Sequence, residues 1–176
     1  FKNIKDRDLE RIFSNDPKKK LIITSSSFSN RKNKNHDLIA KISLLPNVSV
    51  NHYGSWPNNL EHFNVNLHGI IPHNDLCTKI LNSHYFLHPA INDPCPNSII
   101  EALSLGIPVI YNPEIGSSSE IVRNNGIALD VHNLQSTLNK AQNEHYKIAN
   151  NANLQKNHYS ISNAAKKYQS VFNSYI

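Results

Sequence analysis

The stretch Phe86 to Val122 reads FLHPAINDPCPNSIIEALSLGIPVIYNPEIGSSSEIV. It opens on Tyr85-Phe86-Leu87, a short apolar run with the character of a buried strand. A loop of Asn, Asp and prolines follows. Next comes an apolar segment, Ser98 to Leu105, stopped by Gly106, and then a second apolar run, Ile107 to Tyr111. Strand, loop, helix, glycine stop and strand make a βαβ unit. Parallel strands covered by helices on both faces read as continuous apolar runs of this kind. Asp93 falls in the loop, and Glu101 falls in the first turns of the helix, eight positions later. Ligands of open α/β sheets bind at the carboxyl ends of strands, beside helix N-termini. Both carboxylates are therefore expected near a ligand site.

Outward from this unit, the apolar spacing predicts a helix over Ile4 to Phe13, ended by Asn15-Asp16-Pro17, and a short strand over Leu21 to Thr24. Ser25 to Asn35 reads as a polar loop. His36 to Leu45 reads as a helix with Leu38, Ile39, Ile42 and Leu45 on one face. Val48 to Tyr53 reads as a strand and Gly54 to Asn64 as a loop holding Trp56. Val65 to Ile71 is expected as a strand. A helix capped by Asn74 or Asp75 then runs to about Asn82. Past Val122, Gly126 to Leu129 reads as a last short strand, and Leu134 to Ala149 and Ser160 to Tyr175 as polar helices. The order βαββαβαβαβ followed by helices predicts one Rossmann-like, doubly wound parallel α/β sheet.

The 176 residues suffice for one domain with a core. No apolar run approaches membrane-spanning length. The chain begins at Phe1 and contains no Met, which reads as a piece of a longer protein. Cys77 and Cys95 have neither disulfide-framework density nor metal spacing, and a reducing cytoplasm is the simpler expectation. The ten histidines are spread along the chain without a His/Cys cluster, so no metal is expected. The net charge of +5 suits anionic substrates or an anionic membrane surface. Basic residues interleaved with aromatics are lacking, which argues against a nucleic-acid partner.

A helix starting near Asn97 would offer the N–H groups of Asn97, Ser98 and Ile99 together with the positive end of its dipole. Asn97 or Ser98 would also serve as its cap. Ser117-x-x-Glu120 fits a capping box ahead of Ile121-Val122. Arg31, Lys32 and Lys34 form a cationic cluster in the loop after the first strand, and guanidinium and ammonium groups both suit phosphate.

Taken together, Asp93, Glu101-Ala102-Leu103, Gly106-Ile107-Pro108-Val109 and Gly116 to Val122 resemble the nucleotide-sugar site of retaining GT-B glycosyltransferases of family 4. The resemblance covers nearly the whole chain. It implies that residues 1–176 are the C-terminal, donor-binding half of a GT-B fold, with the N-terminal acceptor half absent from this chain and the isolated half inactive. It implies Glu101 on the ribose hydroxyls. Asp93 stands where the family has Glu, as the catalytic-site acid contacting the transferred sugar. Lys34, aided by Arg31, would hold the donor diphosphate with the amides of Asn97 and Ser98. The strand end His68-Gly69-Ile70-Ile71-Pro72 would meet the base through the backbone of Ile70 and Ile71. The chain departs from the family at Pro94-Cys95-Pro96, at Asn35 in place of Gly and at Ser117 in place of a second Gly.

The implied function is transfer of a hexose-type sugar, with retention, from a UDP- or GDP-sugar to a glycan or lipid-linked acceptor. Bacterial surface polysaccharide is the expected product, made in the cytoplasm or peripherally at the inner membrane. No metal or other cofactor is implied, because the nucleotide-sugar is a substrate. The rivals are a GT-B-type UDP-sugar epimerase and a non-catalytic nucleotide-binding module.

Overall fold

The computed structural model describes residues 20–174, so the helix expected over Ile4 to Phe13 lies outside the described residues. Six parallel strands form one sheet: β1 (Leu21–Ser27), β2 (Val48–Gly54), β3 (Asn66–Leu67), β4 (Tyr85–His88), β5 (Val109–Tyr111) and β6 (Gly126–Ala128). Their spatial order is β3-β2-β1-β4-β5-β6. This is the 3-2-1-4-5-6 order of a doubly wound Rossmann-like sheet. The helices are α1 (His36–Ser43), α2 (His73–Leu81), α3 (Asn97–Ser104), α4 (Ser118–Val122), α5 (Leu134–Gln155) and α6 (Ile161–Asn173).

The side-chain period of two divides each central strand between two cores. Tyr85 and Leu87 of β4 and Ile110 of β5 point to one face, where they join Leu38, Ile39 and Ile42 of α1 and Leu138 and Ile148 of α5. Phe86, Val109 and Tyr111 point to the other face, where Leu76 and Ile80 of α2, Ile99 and Leu103 of α3 and Val122 of α4 cover them. Burial on both faces is why these strands read as unbroken apolar runs.

Three elements differ from the sequence expectation by three residues or more. β1 continues three residues past Thr24, and its serines pair onward to Ser27↔Gly54. Ser25 is buried and its hydroxyl bonds His52 Nδ1 at 2.9 Å, so the polarity that suggested a loop is satisfied inside the sheet. The strand expected over Val65 to Ile71 shrinks to two residues. Backbone bonds reach only as far as Gly54 N–H to Gly69 O, 2.7 Å, and Gly69 then turns at φ +67° and leads Ile70 into solvent, 72% exposed. α5 runs on to Gln155, and Asn133 caps it by accepting from Ser136 N–H at 3.0 Å.

Cap assignments shift as well. Pro72 precedes α2, so Asn74 and Asp75 sit inside its first turn with their side chains uninvolved in capping. Pro96 holds the same place before α3, so Asn97 and Ser98 are its first two residues and not its cap. The capping box at Ser117 is not formed either, because that hydroxyl donates to Pro94 O at 2.7 Å. Ser160 does cap α6, accepting from Asn163 N–H at 3.2 Å.

Candidate functional site

In a sheet of this order the chain leaves β1 and β4 in opposite directions, and a crevice opens beyond their carboxyl ends. A cleft of about 280 Å³ occupies that place. Lys34, Asp93, Asn97, Ser98 and Glu101 all line it. Residues from three separate segments therefore converge on one space.

The loops that carry these side chains are tied to one another. The Pro89 carbonyl accepts from Asn35 Nδ2 and from Asn112 Nδ2, each at 3.3 Å. Ile91 N–H donates to Asn33 O at 2.9 Å, which fixes the loop after β4 to the loop after β1. On the other side Asn92 N–H donates to Ile115 O at 2.6 Å, and Ser117 N–H donates to Asp93 O at 3.3 Å. Asp93 and Gly116 form an isolated parallel bridge. Gly116 stands at φ +140°, and a Cβ there would come 2.7 Å from Asp93 O, so the close approach of the two loops demands glycine. Asn35 also has a left-handed backbone, φ 55° and ψ 49°. Asn adopts that conformation more readily than other residues with a side chain, which explains why it can stand where Gly is usual.

Within the cleft Lys34 Nζ lies 3.1 Å from Asp93 Oδ2, and both side chains are mostly buried, 29% and 15% exposed. His88, the last residue of β4, lies beside them with Nε2 3.7 Å from the same oxygen. Its Nδ1 is 3.2 Å from Ser98 Oγ. Burial lowers the His88 pKa to about 4, with Asp93 opposing that shift and Lys34 adding to it. The ring is neutral at neutral pH. At the start of α3, Ile99 N–H turns back onto Pro96 O at 3.0 Å. Of the three amides expected to face a ligand, this leaves those of Asn97 and Ser98.

Arg31, Ile70 and Ile71 do not line this cleft. Arg31 is exposed and precedes the 3-10 turn Lys32–Lys34, whose last residue carries the cation into the site. Ile71 packs against the core beside α2 instead. Sequence reasoning missed His88 and the segment Ser26-Ser27-Phe28, all of which line the cleft. The signal for the latter was the length of β1: three more strand residues would have brought Ser26 and Ser27 to the switch point. Phe28 is 60% exposed, an aromatic ring presented at the cleft. Among the described residues, no group of three His, Cys, Asp or Glu is placed to hold a metal ion.

The arrangement puts one cation, two carboxylates and the amide-rich start of a helix around a single cleft. Such a set can grip a phosphate and order hydroxyl groups beside it.

Solved structures share the fold. The chain superimposes on sucrose-phosphate synthase from Thermosynechococcus elongatus with a TM-score of 0.65 and 16% identity, over 90% of this chain and 47% of that one. For WaaG, a glycosyltransferase involved in lipopolysaccharide biosynthesis, the TM-score is 0.64 and the identity 21%, over 86% and 46%. For Anabaena HepE, solved with UDP and glucose, they are 0.67 and 15%, over 97% and 53%. The chain thus spans about half the length of these structures and matches one half of their GT-B architecture. No curated protein matches it significantly by sequence. The family model described as "Glycosyl transferases group 1" matches residues 6–167, nearly the whole chain, and by that match the chain belongs to the group 1 glycosyltransferase family.

Proposed function

We propose that this chain is the donor-binding half of a retaining glycosyltransferase of family 4. It holds a nucleoside-diphosphate hexose for transfer to a glycan or lipid-linked acceptor presented by the other half. The observation that carries this reading is the convergence of Lys34, Asp93, Asn97, Ser98 and Glu101 on one cleft at the switch point of the sheet.

In this reading the diphosphate lies against Lys34 and the start of α3, where ammonium and helix dipole both favour negative charge. Glu101 accepts from the ribose hydroxyls and Asp93 from the sugar. The bond from sugar C1 to the diphosphate oxygen breaks. The acceptor oxygen bonds C1 on the same face, and its proton leaves with the nucleoside diphosphate. The cleft contributes positioning and stabilisation of the charge that builds on the leaving group. HepE, solved with UDP and glucose, supports uridine over guanosine as the base, and WaaG supports a surface glycan as the product. The charge of +5 suits work on the cytoplasmic side of an anionic membrane that carries the acceptor.

A thermal-shift panel of UDP, GDP, ADP and their sugars tests the reading. Stabilisation by UDP or GDP and their sugars is expected. Lys34→Ala is expected to weaken that binding roughly 10- to 100-fold, the range of a charge-assisted phosphate contact. A chain stabilised by none of the nucleotides would contradict the donor role.

A further inference from the structure

His88 is 5% exposed, yet its Nε2 is a buried polar atom with no hydrogen-bond partner. Asp93 Oδ2 stands 3.7 Å away, beyond hydrogen-bond reach. A buried polar atom gives up its hydration, so this edge of the ring is open to a partner that replaces it. The ring lines the cleft, where a bound group can reach it.

The tautomer follows from the two neighbours. Ser98 Oγ can donate to Nδ1 or accept from it at 3.2 Å and does not decide. Asp93 decides: a carboxylate repels a bare imidazole lone pair and favours an N–H directed at it. The proton therefore sits on Nε2, and Nδ1 accepts from the Ser98 hydroxyl. Burial keeps the ring from taking a second proton at neutral pH.

The cleft thus presents an N–H donor and a carboxylate acceptor 3.7 Å apart. An oxygen about 2.8 Å from each closes a triangle on that edge. A phosphate oxygen fits poorly, because it carries only lone pairs and a negative charge that Asp93 would repel. A hydroxyl fits, because it donates to one group and accepts from the other. The carboxylate keeps enough lone pairs to hold Lys34 as well.

We propose that His88 is a binding residue for the transferred sugar: its Nε2–H donates to a sugar hydroxyl whose own proton is given to Asp93, and Ser98 orients the ring through Nδ1. This rests on the donor-cleft reading and adds a sugar-selecting contact to it.

The test is nitrogen-15 NMR of the histidine imidazoles in the 176-residue chain, titrated with UDP, UDP-glucose and UDP-N-acetylglucosamine. Loss of one signal in His88→Phe, or in His88→Gln if the phenylalanine variant does not fold, assigns the resonance. The proposal expects an Nε2–H tautomer whose Nε2 signal moves with a UDP-sugar and stays in place with UDP alone. It also expects the gain in affinity of UDP-sugar over UDP to fall about 3- to 10-fold in the phenylalanine variant. Gln, which keeps an N–H donor near the Nε2 position, should restore part of that gain. An Nδ1–H tautomer, equal shifts with UDP and UDP-sugar, or an undiminished sugar preference in His88→Phe would each overturn the proposal while leaving the donor reading intact. If none of the three nucleotides binds the wild-type chain, the donor reading falls and the His88 contact falls with it.

Discussion

The βαβ unit from β4 to β5 and the opposite edge of the sheet, β2 to β3, are built to different standards. In the first, all four residues of β4 and all three of β5 are buried, and α3 seals them with Ile99 and Leu103, both 0% exposed. In the second, β3 is two exposed residues long, and the chain after it turns out at Gly69. A strand between helices must be apolar on both sides, so its sequence is unambiguous. An edge strand has a neighbour on one side only, and Asn66 and His68 give the run from Val65 to Ile71 little to bury. The candidate cleft hangs from the well-packed unit, while Ile70 and Ile71, the residues expected to meet the base, belong to the loose edge.

The steepest difference between the two regions is expected in the core. Leu103→Ala should cost about 2–5 kcal/mol in denaturant unfolding. Ile70→Ala, at a residue 72% exposed, should stay within about 0.5 kcal/mol. Equal costs would mean that the edge is as tightly held as the centre.

Acid comes next, and it acts on both regions. His88 ends β4, and His52 sits in β2. Burial lowers both to about 4 from an unfolded value of 6.5, and in His52 the Ser55 carbonyl opposes the shift while His36 adds to it. Between those values the unfolded chain binds protons that the folded chain refuses, so stability falls as pH falls. Each histidine contributes stability that is present above pH 6.5 and is lost on the way to pH 4, about 3 kcal/mol at most. His36, whose ring meets His52 and Trp56 edge-on at 5.4 and 5.2 Å, is also lowered by burial and adds in the same direction. Chemical unfolding at pH 7.5, 6 and 4.5 should show a steady loss. A flat profile would deny that the rings are held neutral.

A smaller effect is expected at the junction of the loops. Ser117→Ala removes the bond to Pro94 O and should cost about 0.5–1.5 kcal/mol. Amide hydrogen exchange at Asn92 and Ser117 should quicken, while exchange in β1 and β2 stays unchanged. Unaltered exchange at Asn92 would show that the serine does not help to bind the loops together.

The same contrast explains what could be read in advance. β4, α3 and β5 were legible because apolar runs, a glycine stop and proline-rich punctuation all agreed, and the placing of Asp93 and Glu101 followed from that agreement. The end of β1 was not legible, because Ser25, Ser26 and Ser27 look like loop until His52 is known to accept one of them across the sheet. The Ser117 capping box misled for a related reason: local spacing fitted, but a partner on a distant loop took the hydroxyl. Arg31 and Lys34 look alike as charges; the resemblance favours Lys34, and the 3-10 turn that ends on it carries it inward while Arg31 stays exposed. His88 carried no pattern of its own, since its meaning comes from Ser98 and Asp93, ten and five residues away in sequence.

On the reading proposed above, the cleft at the switch point holds a sugar diphosphate. Backbone amide NMR of the chain titrated with UDP-glucose tests it most directly. Shifts are expected to concentrate at Ser27, Lys34, Asp93, Asn97, Ser98 and Glu101, and to be lost in Glu101→Ala at matched ligand concentration. Shifts centred elsewhere, or a Glu101→Ala variant that binds as well as the wild type, would contradict it.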